Sequence, residues 1–194
     1  SRRLGIGLTE KGRKILERRP YPPGQHGTGR RGKPSEYARQ LLEKQKLRFL
    51  YRLSEKQFQR TFQRAKRLTG PTGDNFLVLL EKRLENVVYR GGLAKTRAQA
   101  RQIVAHGHIT VNGRKSKTPA LIVRPGDVIG IRPESLQRPY FTDLKNSGSL
   151  ATQLGLSWME TDADKFTVTI LDNPTREDGE QLADLQAIIE FYSR

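Results

Sequence analysis

Apolar residues begin to recur at helical spacing after Pro34. Ser35 stands in front of this run, where a hydroxyl oxygen can accept from the first free N–H groups of a helix. At about 100° per residue one broad face collects apolar side chains. They are Ala38, Leu41, Leu42, Phe49, Leu50 and Leu53. The pattern predicts a helix that starts at Ser35 and packs this face.

The next run, residues 54–68, predicts a second amphipathic helix. Ser54 and Gln57 have capping-box spacing. One side of the helix carries Phe58, Phe62, Ala65 and Leu68, and the opposite side carries Lys56, Arg60, Arg64 and Arg67. A charged face is usually only solvated. Four cations without an acid favour contact with a polyanion.

Two further helices and several strands follow. Residues 74–90 are predicted as one helix, capped by Asp74 and ended by Gly91-Gly92, and Thr96 caps another. Ile109 and Val111 then alternate toward Asn112-Gly113, a hairpin-turn signal. Residues 120–133 look like a second hairpin around the Pro-Gly-Asp step, and residues 164–171 read as a strand. The chain therefore changes from helices to a small α+β unit.

The first 34 residues combine arginines with glycines and prolines. They contain too little apolar surface to offset the entropy of ordering, so we expect a basic, extended arm that orders on its partner. A flexible, solubilising tail is the alternative.

The net charge then restricts the classes of partner that the chain can bind. The 194 residues carry 36 Lys and Arg against 20 Asp and Glu, a net charge of +16. The basic excess lies in the first 140 residues, and the last third is acidic. Such a chain suits a polyanion, and no apolar run approaches the ~18–20 residues of a membrane-spanning helix. With no cysteine and no visible signal peptide, disulfides are excluded and the cytoplasm is the expected location.

Residues 96–115 hold the most suggestive polar set. Arg97 and Arg101 lie one helical turn apart, and guanidinium groups bind phosphate in a bidentate manner. His106 and His108 flank a glycine after this helix, and the Asn112 turn precedes two cations. Arginine, amide and imidazole groups together favour RNA binding.

Metal binding and catalysis are the competing interpretations. Zinc needs three or four protein ligands, and His26 is the single remaining histidine. Asp162 and Asp164 form a carboxylate pair, but in a loop without apolar surroundings that would raise a pKa. Nucleophile and nucleotide-binding motifs are absent from the sequence. We expect no metal, no cofactor, no small-molecule substrate and no enzyme activity.

Several segments resemble one known family. RLENVVYRGGLAKTRAQARQIVAHGHITVNGRK (83–115) and PALIVRPGDVIGI (119–131) are similar to the S-four RNA-binding domain. RRPYPPGQHG (18–27), EKQKLRFLY (43–51), SEKQF (54–58) and EFYSR (190–194) extend the match over the whole chain. The sequence therefore resembles the bacterial-type small-subunit ribosomal protein family called S-four. Many members carry a cysteine-rich metal knuckle in the arm. This chain has no cysteine, so no metal carries over.

The resemblance implies an α+β fold in which a helical domain is interrupted by an S-four RNA-binding α/β domain, plus the basic arm. The arm would be residues 1–34, the helical domain 35–81 completed by 173–194, and the inserted domain 82–172. It also implies a structural constituent of the small ribosomal subunit that binds ribosomal RNA at a multi-helix junction and nucleates assembly. Ribosomal protein S-five would be a neighbour near the mRNA entrance, with a contribution to translational accuracy and messenger RNA as a further partner.

The residues expected to bind RNA are distributed over the arm, the helices and the inserted domain. They are Arg2, Arg3, Arg18, Arg19, Tyr21, Gln25, His26, Arg30, Arg31, Lys33, Lys44, Arg48, Arg52, Arg60, Arg64, Arg83, Lys95, Thr96, Arg97, Arg101, Gln102, His106, His108, Asn112, Arg114 and Lys115. Two rival functions stay open: an RNA-modifying enzyme of the pseudouridine synthase type, which can also carry an S-four domain, and a nonspecific basic chaperone of nucleic acid.

Overall fold

The computed structural model describes residues 1–29, 32–147, 156–180 and 182–193. It separates into two compact units. Unit 1 comprises Ser1–Gln63 with Glu180–Arg194, and unit 2 comprises Arg64–Gly179. The predicted arginines Arg30 and Arg31 lie outside the described residues. Among the described residues, no helix has the length and apolar character needed to cross a membrane.

The helices of unit 1 are α1 (Glu10–Arg18), α2 (Glu36–Leu50), α3 (Glu55–Lys66), whose last turn enters unit 2, and α9 (Leu185–Tyr192). The predicted cap at Ser35 is confirmed, because its hydroxyl oxygen accepts from the Ala38 N–H at 3.2 Å. Helix α2 packs against α9 around the fully buried Leu47 and Ile188. Helix α1 was not predicted, and it has no buried residue.

The predicted apolar face of α2 is partly wrong. Phe49 is 47 % exposed, whereas the buried positions are Gln40, Lys44, Leu47 and Leu50. Gln40 is held inside by the Glu190 carboxylate and Lys44 by the Glu55 carboxylate. Partners distant in sequence thus place two polar residues where periodicity favours apolar ones.

Helix α3 has the two faces that the sequence predicts. Phe58, Phe62 and Ala65 are buried, and Lys56, Arg60 and Arg64 are exposed. The Ser54 hydroxyl caps its first turn by accepting from the Gln57 N–H at 3.3 Å. Leu68 was expected on the buried face, but it lies beyond the end of the helix and is 46 % exposed.

In the part of unit 2 that the structure describes, there are five further helices and a sheet. The helices are α4 (Thr72–Glu81), α5 (Leu84–Arg90), α6 (Arg97–Ala105), α7 (Pro133–Leu136) and α8 (Pro139–Asn146). The strands are β1 (Ile109–Val111), β2 (Arg114–Ser116), β3 (Val128–Ile131), β4 (Met159–Asp162) and β5 (Thr167–Ile170), and they form an antiparallel sheet in the order β2-β1-β3-β5-β4. An α+β fold is therefore confirmed.

One core joins the helices and the sheet. It includes Val87 of α5, Val104 of α6, Phe141 of α8 and Ile129 of β3, together with Trp158 just before β4. Strand β5 alternates between half-buried and fully buried side chains, as expected when one sheet face is covered. The packing of helices on this face holds α6 and the β1–β2 hairpin in one rigid unit.

The prediction of a single helix over residues 74–90 is wrong. The first helix begins at Thr72, so that Asp74 lies in its first turn rather than at the cap. The chain is extended at Arg83, where it bridges to Ile122, and the Leu84 N–H donates to the Leu121 carbonyl oxygen at 2.8 Å. Pairing with a distant segment thus splits the helix into α4 and α5.

The hairpin predicted over residues 120–133 is also wrong. Its first half pairs with the α4–α5 junction, and its second half is β3, which pairs with β1 and β5. The turn at Asn112-Gly113 is confirmed, with φ angles of 51° and 76°. A primed turn of this kind matches the twist of the two strands that it joins. Strand β5 is confirmed within the predicted range, and β4 was not predicted.

Glu81 supplies a buried carboxylate to unit 2. Its side chain is fully buried and accepts from the Arg90 Nε and Nη2 groups at 3.1 and 3.0 Å and from the Asn86 amide at 2.6 Å. Removal of one member of such a set leaves buried donors without an acceptor.

We expect Glu81→Ala to lower the free energy of unfolding of unit 2 by about 3 kcal/mol. Urea titration followed by the fluorescence of Trp158, the one tryptophan of the chain, measures this unit. Glu177→Ala, which removes an exposed carboxylate, serves as the control and should change it by less than about 0.5 kcal/mol. Equal midpoints for the two variants would contradict the structural role of Glu81.

Candidate nucleic-acid interface

The expected RNA-binding residues of unit 1 divide into exposed and internally paired groups. The exposed ones are Arg3, Arg18, Arg19, Tyr21, Gln25, His26, Lys33, Arg52 and Arg60. Arg2 is half-buried, and it donates to the carbonyl oxygens of Tyr21 and Pro22 at 2.8 and 3.0 Å. Its guanidinium also lies 4.9 Å from the centre of the Tyr21 ring. These contacts order the arm locally around the tyrosine.

Lys44 and Arg48 are used within the fold. The Lys44 side chain is 6 % exposed, and its ammonium donates to Glu55 Oε1 at 2.7 Å. Arg48 donates to Gln45 Oε1 at 2.7 Å and lies 3.5 Å from Glu55 Oε2. A buried ammonium with a carboxylate partner has little capacity left for phosphate. No local pattern predicts this pairing, because the face that α2 buries depends on α3 and α9.

In unit 2 the carboxylate of Glu85 binds two arginines, Arg83 and Arg101. Arg83 and Glu85 are both nearly buried, and Arg83 donates twice to Glu85 Oε1, at 2.7 and 2.9 Å. Glu85 Oε2 accepts from Arg101 at 3.1 Å, and the Arg101 side chain is 42 % exposed. Arg83 is therefore a structural residue, whereas Arg101 reaches the surface with its orientation set from beneath.

Arg97 is held in a similar way. Its Nε donates to Asn86 Oδ1 at 3.0 Å, and its guanidinium lies 4.5 Å from the centre of the Tyr89 ring. The Asn86 amide group is oriented in turn, because its Nδ2 donates to the buried Glu81 carboxylate. Thus α5 offers the acceptors that fix both arginines of α6, which lie one turn apart on one helix face.

The remaining predicted residues lie around α6 and the β1–β2 hairpin. Thr96 caps α6 by accepting from the Gln99 N–H at 3.2 Å. Asn112 is used in the turn, because its amide group donates to Asp127 Oδ1 at 2.8 Å and accepts from the Val128 N–H at 2.9 Å. The other exposed members of this set are Lys95, Gln102, His106, Arg114 and Lys115, together with Arg64 from the end of α3.

His108 is half-buried, and its Nδ1 lies 2.9 Å from Ser135 Oγ. Burial lowers the pKa of His108, and the charges of Arg138, His106, Arg132 and Lys115 lower it further. The ring is therefore neutral near pH 7. Three cations at this place, Lys117, Arg132 and Arg138, were not predicted, and the two that follow β3, Arg132 and Arg138, reach it only through the sheet. Within the described ranges, no three His, Cys, Asp or Glu side chains are grouped as a metal site requires.

The Glu55 carboxyl makes unit 1 sensitive to acid. Burial alone would raise the pKa of Glu55, but hydrogen bonds from Lys44 and Tyr192 and the charges of Lys44 and Arg48 outweigh it and lower the pKa. A carboxyl with a lower pKa in the folded chain than in the unfolded one contributes stability above the unfolded value, 4.5. That contribution is lost as the pH falls through the folded value.

We expect the melting temperature of the wild-type chain to exceed that of Glu55→Gln at about pH 6 and the difference to narrow below about pH 4. Calorimetric melting over this range measures it. The exposed carboxyl of Glu17 provides the control, and Glu17→Gln should follow the wild-type curve. A difference between wild type and Glu55→Gln that is independent of pH would show that the charge of Glu55 is not what stabilises unit 1.

Comparison with known proteins gives one consistent family. Residues 1–81 match the family described as ribosomal protein S4/S9 N-terminal domain, and residues 82–129 match the S4 domain. The second match contains α5, α6 and the β1–β2 hairpin, where the arginines and histidines lie.

Full-length relatives agree with these matches. Small ribosomal subunit protein uS4 of Roseiflexus castenholzii is 54 % identical over 195 residues, covering 100 % of this chain and 95 % of the relative. Proteins of the same name from Chloroflexus aurantiacus and Chlorobium limicola are 52 % and 47 % identical, with the same coverage. The basic surfaces, the S4 domain and these relatives together show that the chain belongs to the ribosomal protein S4 family.

Proposed function

We propose that this chain is a structural protein of the small ribosomal subunit that binds small-subunit ribosomal RNA directly, without enzyme activity. The relatives carry the name of a small-subunit protein, and the chain contains the S4 domain. The single observation that carries RNA binding is the arginine pair of α6. Two surface arginines whose orientations are fixed by buried acceptors form a ready site for phosphate groups.

The geometry explains why these arginines serve RNA better than mobile side chains would. A long side chain loses rotamer freedom when it binds, which weakens the complex. The Glu85 and Asn86 side chains already restrict Arg101 and Arg97 in the free protein. The Arg101 side chain remains 42 % exposed while its Nη1 is held by Glu85. Binding therefore costs less entropy at this place.

Helix α3 and the arm add phosphate contacts of a second kind. Lys56, Arg60 and Arg64 follow one face of α3 at intervals of one turn, opposite the buried phenylalanines. The arm adds exposed arginines and the exposed Tyr21 and His26 rings, which suit stacking on unpaired bases. These groups position RNA through its backbone and supply little sequence information.

The finer features of this proposal rest on the family resemblance. The RNA site is a multi-helix junction, and binding there nucleates subunit assembly. The helical domain comprises residues 35–81 with 173–194, and the inserted RNA-binding domain comprises 82–172. The acidic last third of the chain suits a basic neighbour such as ribosomal protein S-five, near the mRNA entrance, where the chain contributes to translational accuracy and also contacts messenger RNA.

A competition titration at two salt concentrations tests the function. Labelled RNA from the 5′ region of small-subunit ribosomal RNA is challenged with a scrambled RNA of equal length. We expect the ribosomal RNA to bind at least about 10³-fold more tightly at both salt concentrations, as specific recognition does. If the two RNAs compete equally and binding disappears at high salt, only nonspecific charge attraction remains. That result would contradict the proposal. Altered nucleosides after incubation would instead indicate an RNA-modifying enzyme.

Arg101→Gln tests the arginine pair itself. We expect weaker binding of the ribosomal RNA and a log–log salt slope reduced by roughly 0.7–0.9, the contribution of one phosphate contact. Because Arg83 remains on Glu85, the free energy of unfolding should fall by at most about 1 kcal/mol. Lys165→Gln removes an equal charge from an exposed site and should leave the slope unchanged. A slope that is the same in both variants would remove Arg101 from the RNA interface.

A further inference from the structure

Six nitrogen-bearing side chains converge where α6 ends. We call them the α6-end cluster: His106, His108, Lys115, Lys117, Arg132 and Arg138. They come from the end of α6, from the residue before β1, from β2 and the residue after it, and from the residues that precede α7 and α8. Glycine at position 107 lets them approach. A Cβ atom placed there would lie 2.5 Å from Lys115 Cε and 3.3 Å from Lys117 Cε, so both lysine side chains pass over this residue.

Arg132 is placed beside the histidines by its backbone. Its N–H donates to the His108 carbonyl oxygen at 2.8 Å. Its guanidinium forms an ion pair with Glu134, yet its Nε is buried and has no acceptor among the described residues. A buried donor without an acceptor is costly unless something else occupies that position.

The cluster repels itself in the free protein. The charge of Arg132, followed by desolvation and the charge of Lys117, lowers the pKa of Lys115. The charges of Arg138, His106, Arg132 and Lys115 act on the pKa of His108 in the same direction, after burial. An anion between these groups would relieve the repulsion. It would also accept a hydrogen bond from Arg132 Nε, which has no acceptor among the described residues.

The α6-end cluster is distinct from the arginine pair. His106 is the C-cap of α6 and retains helical backbone angles. It follows Arg97 by nine residues, which places it about 180° around the helix axis at 3.6 residues per turn. Arg97 therefore lies on the opposite side of α6 from His106, and the other cations of the cluster come from elements outside α6.

We propose that the α6-end cluster is a second phosphate-binding site of unit 2, which takes a backbone phosphodiester of the bound RNA between Lys115, Lys117 and Arg132. This inference rests on the proposed RNA-binding function. His108, whose Nδ1 lies 2.9 Å from Ser135 Oγ, lies beside the site, and Arg138 adds positive charge there. Unit 2 thus contacts RNA backbone both at the arginine pair and at the end of α6.

The test is the double variant Lys115→Gln/Lys117→Gln. Both side chains are exposed and their removal relieves repulsion, so we expect a melting temperature no lower than that of the wild-type chain. Binding of the 5′-region ribosomal RNA should weaken about tenfold, and the log–log salt slope should fall by roughly 1.4–1.8 for two lost phosphate contacts. The control Lys145→Gln/Lys165→Gln removes the same charge from exposed positions elsewhere in unit 2 and should leave the slope unchanged. Equal slopes for the two double variants would overturn the proposal.

A nuclear magnetic resonance titration of the His108 ring gives an independent measurement on the wild-type chain. When a phosphodiester neutralises the neighbouring cations, the pKa of His108 should rise toward its ordinary value. The measurement compares the free protein with the complex with the 5′-region RNA. An unchanged pKa of His108 in the complex would also overturn the proposal.

The failure of this inference differs from failure of the proposed function. If Arg101→Gln weakens binding and Lys115→Gln/Lys117→Gln does not, the chain binds RNA through the arginine pair and the cluster is not a site. If the scrambled RNA competes equally with the ribosomal RNA for the wild-type chain, the proposed function itself fails.

Discussion

The buried carboxylates of Glu81 and Glu85 determine where the basic residues of unit 2 point. Glu81 binds Arg90 and orients Asn86, which holds Arg97, and Glu85 binds Arg83 and Arg101. A chain with an excess of sixteen positive charges has few acids available for this purpose. Around the buried carboxylate of Glu85, Arg83 neutralises the charge, and Arg101 is oriented toward the surface. The surface for RNA thus depends on groups that RNA does not reach.

This division changes the meaning of a basic residue in the sequence. Lys44 and Arg83 look like phosphate ligands when counted as charges, but both are buried against carboxylates. Lys117 and Arg132 attract little notice in the sequence, but in the structure Lys117 passes over Gly107 and Arg132 donates its N–H to the His108 carbonyl oxygen. The charge composition therefore predicts that the partner is a polyanion. Which basic residues can face that partner depends on which of them the fold buries.

The electrostatics of the free protein and of its complex are linked. Cations placed close together raise the energy of the free protein and lower one another's tendency to be protonated, as at Lys115 and His108. A polyanion reverses both effects. Unit 1 behaves differently, because there Glu55 already compensates Lys44 and Arg48 within the fold. Internal pairs stabilise the scaffold, and the unbalanced cations are the ones that we propose bind RNA.

The sequence by itself determined those features that depend on local chemistry. Ser35 and Thr96 start their helices with their own hydroxyl groups, the α3 faces follow from helical spacing, and Asn112-Gly113 turns the chain through angles that these residues adopt readily. The family and its RNA partner follow from motifs and net charge. These conclusions require no knowledge of residues distant in sequence.

Tertiary structure alone decided the rest. The break between α4 and α5 arises because Arg83 bridges to Ile122, a residue thirty-nine positions later, and β3 forms no hairpin because its partners are β1 and β5. Gln40 and Lys44 are buried because Glu190 and Glu55 meet them. The free energy of each such contact depends on atoms brought together only by folding, so no local pattern in the sequence reports it.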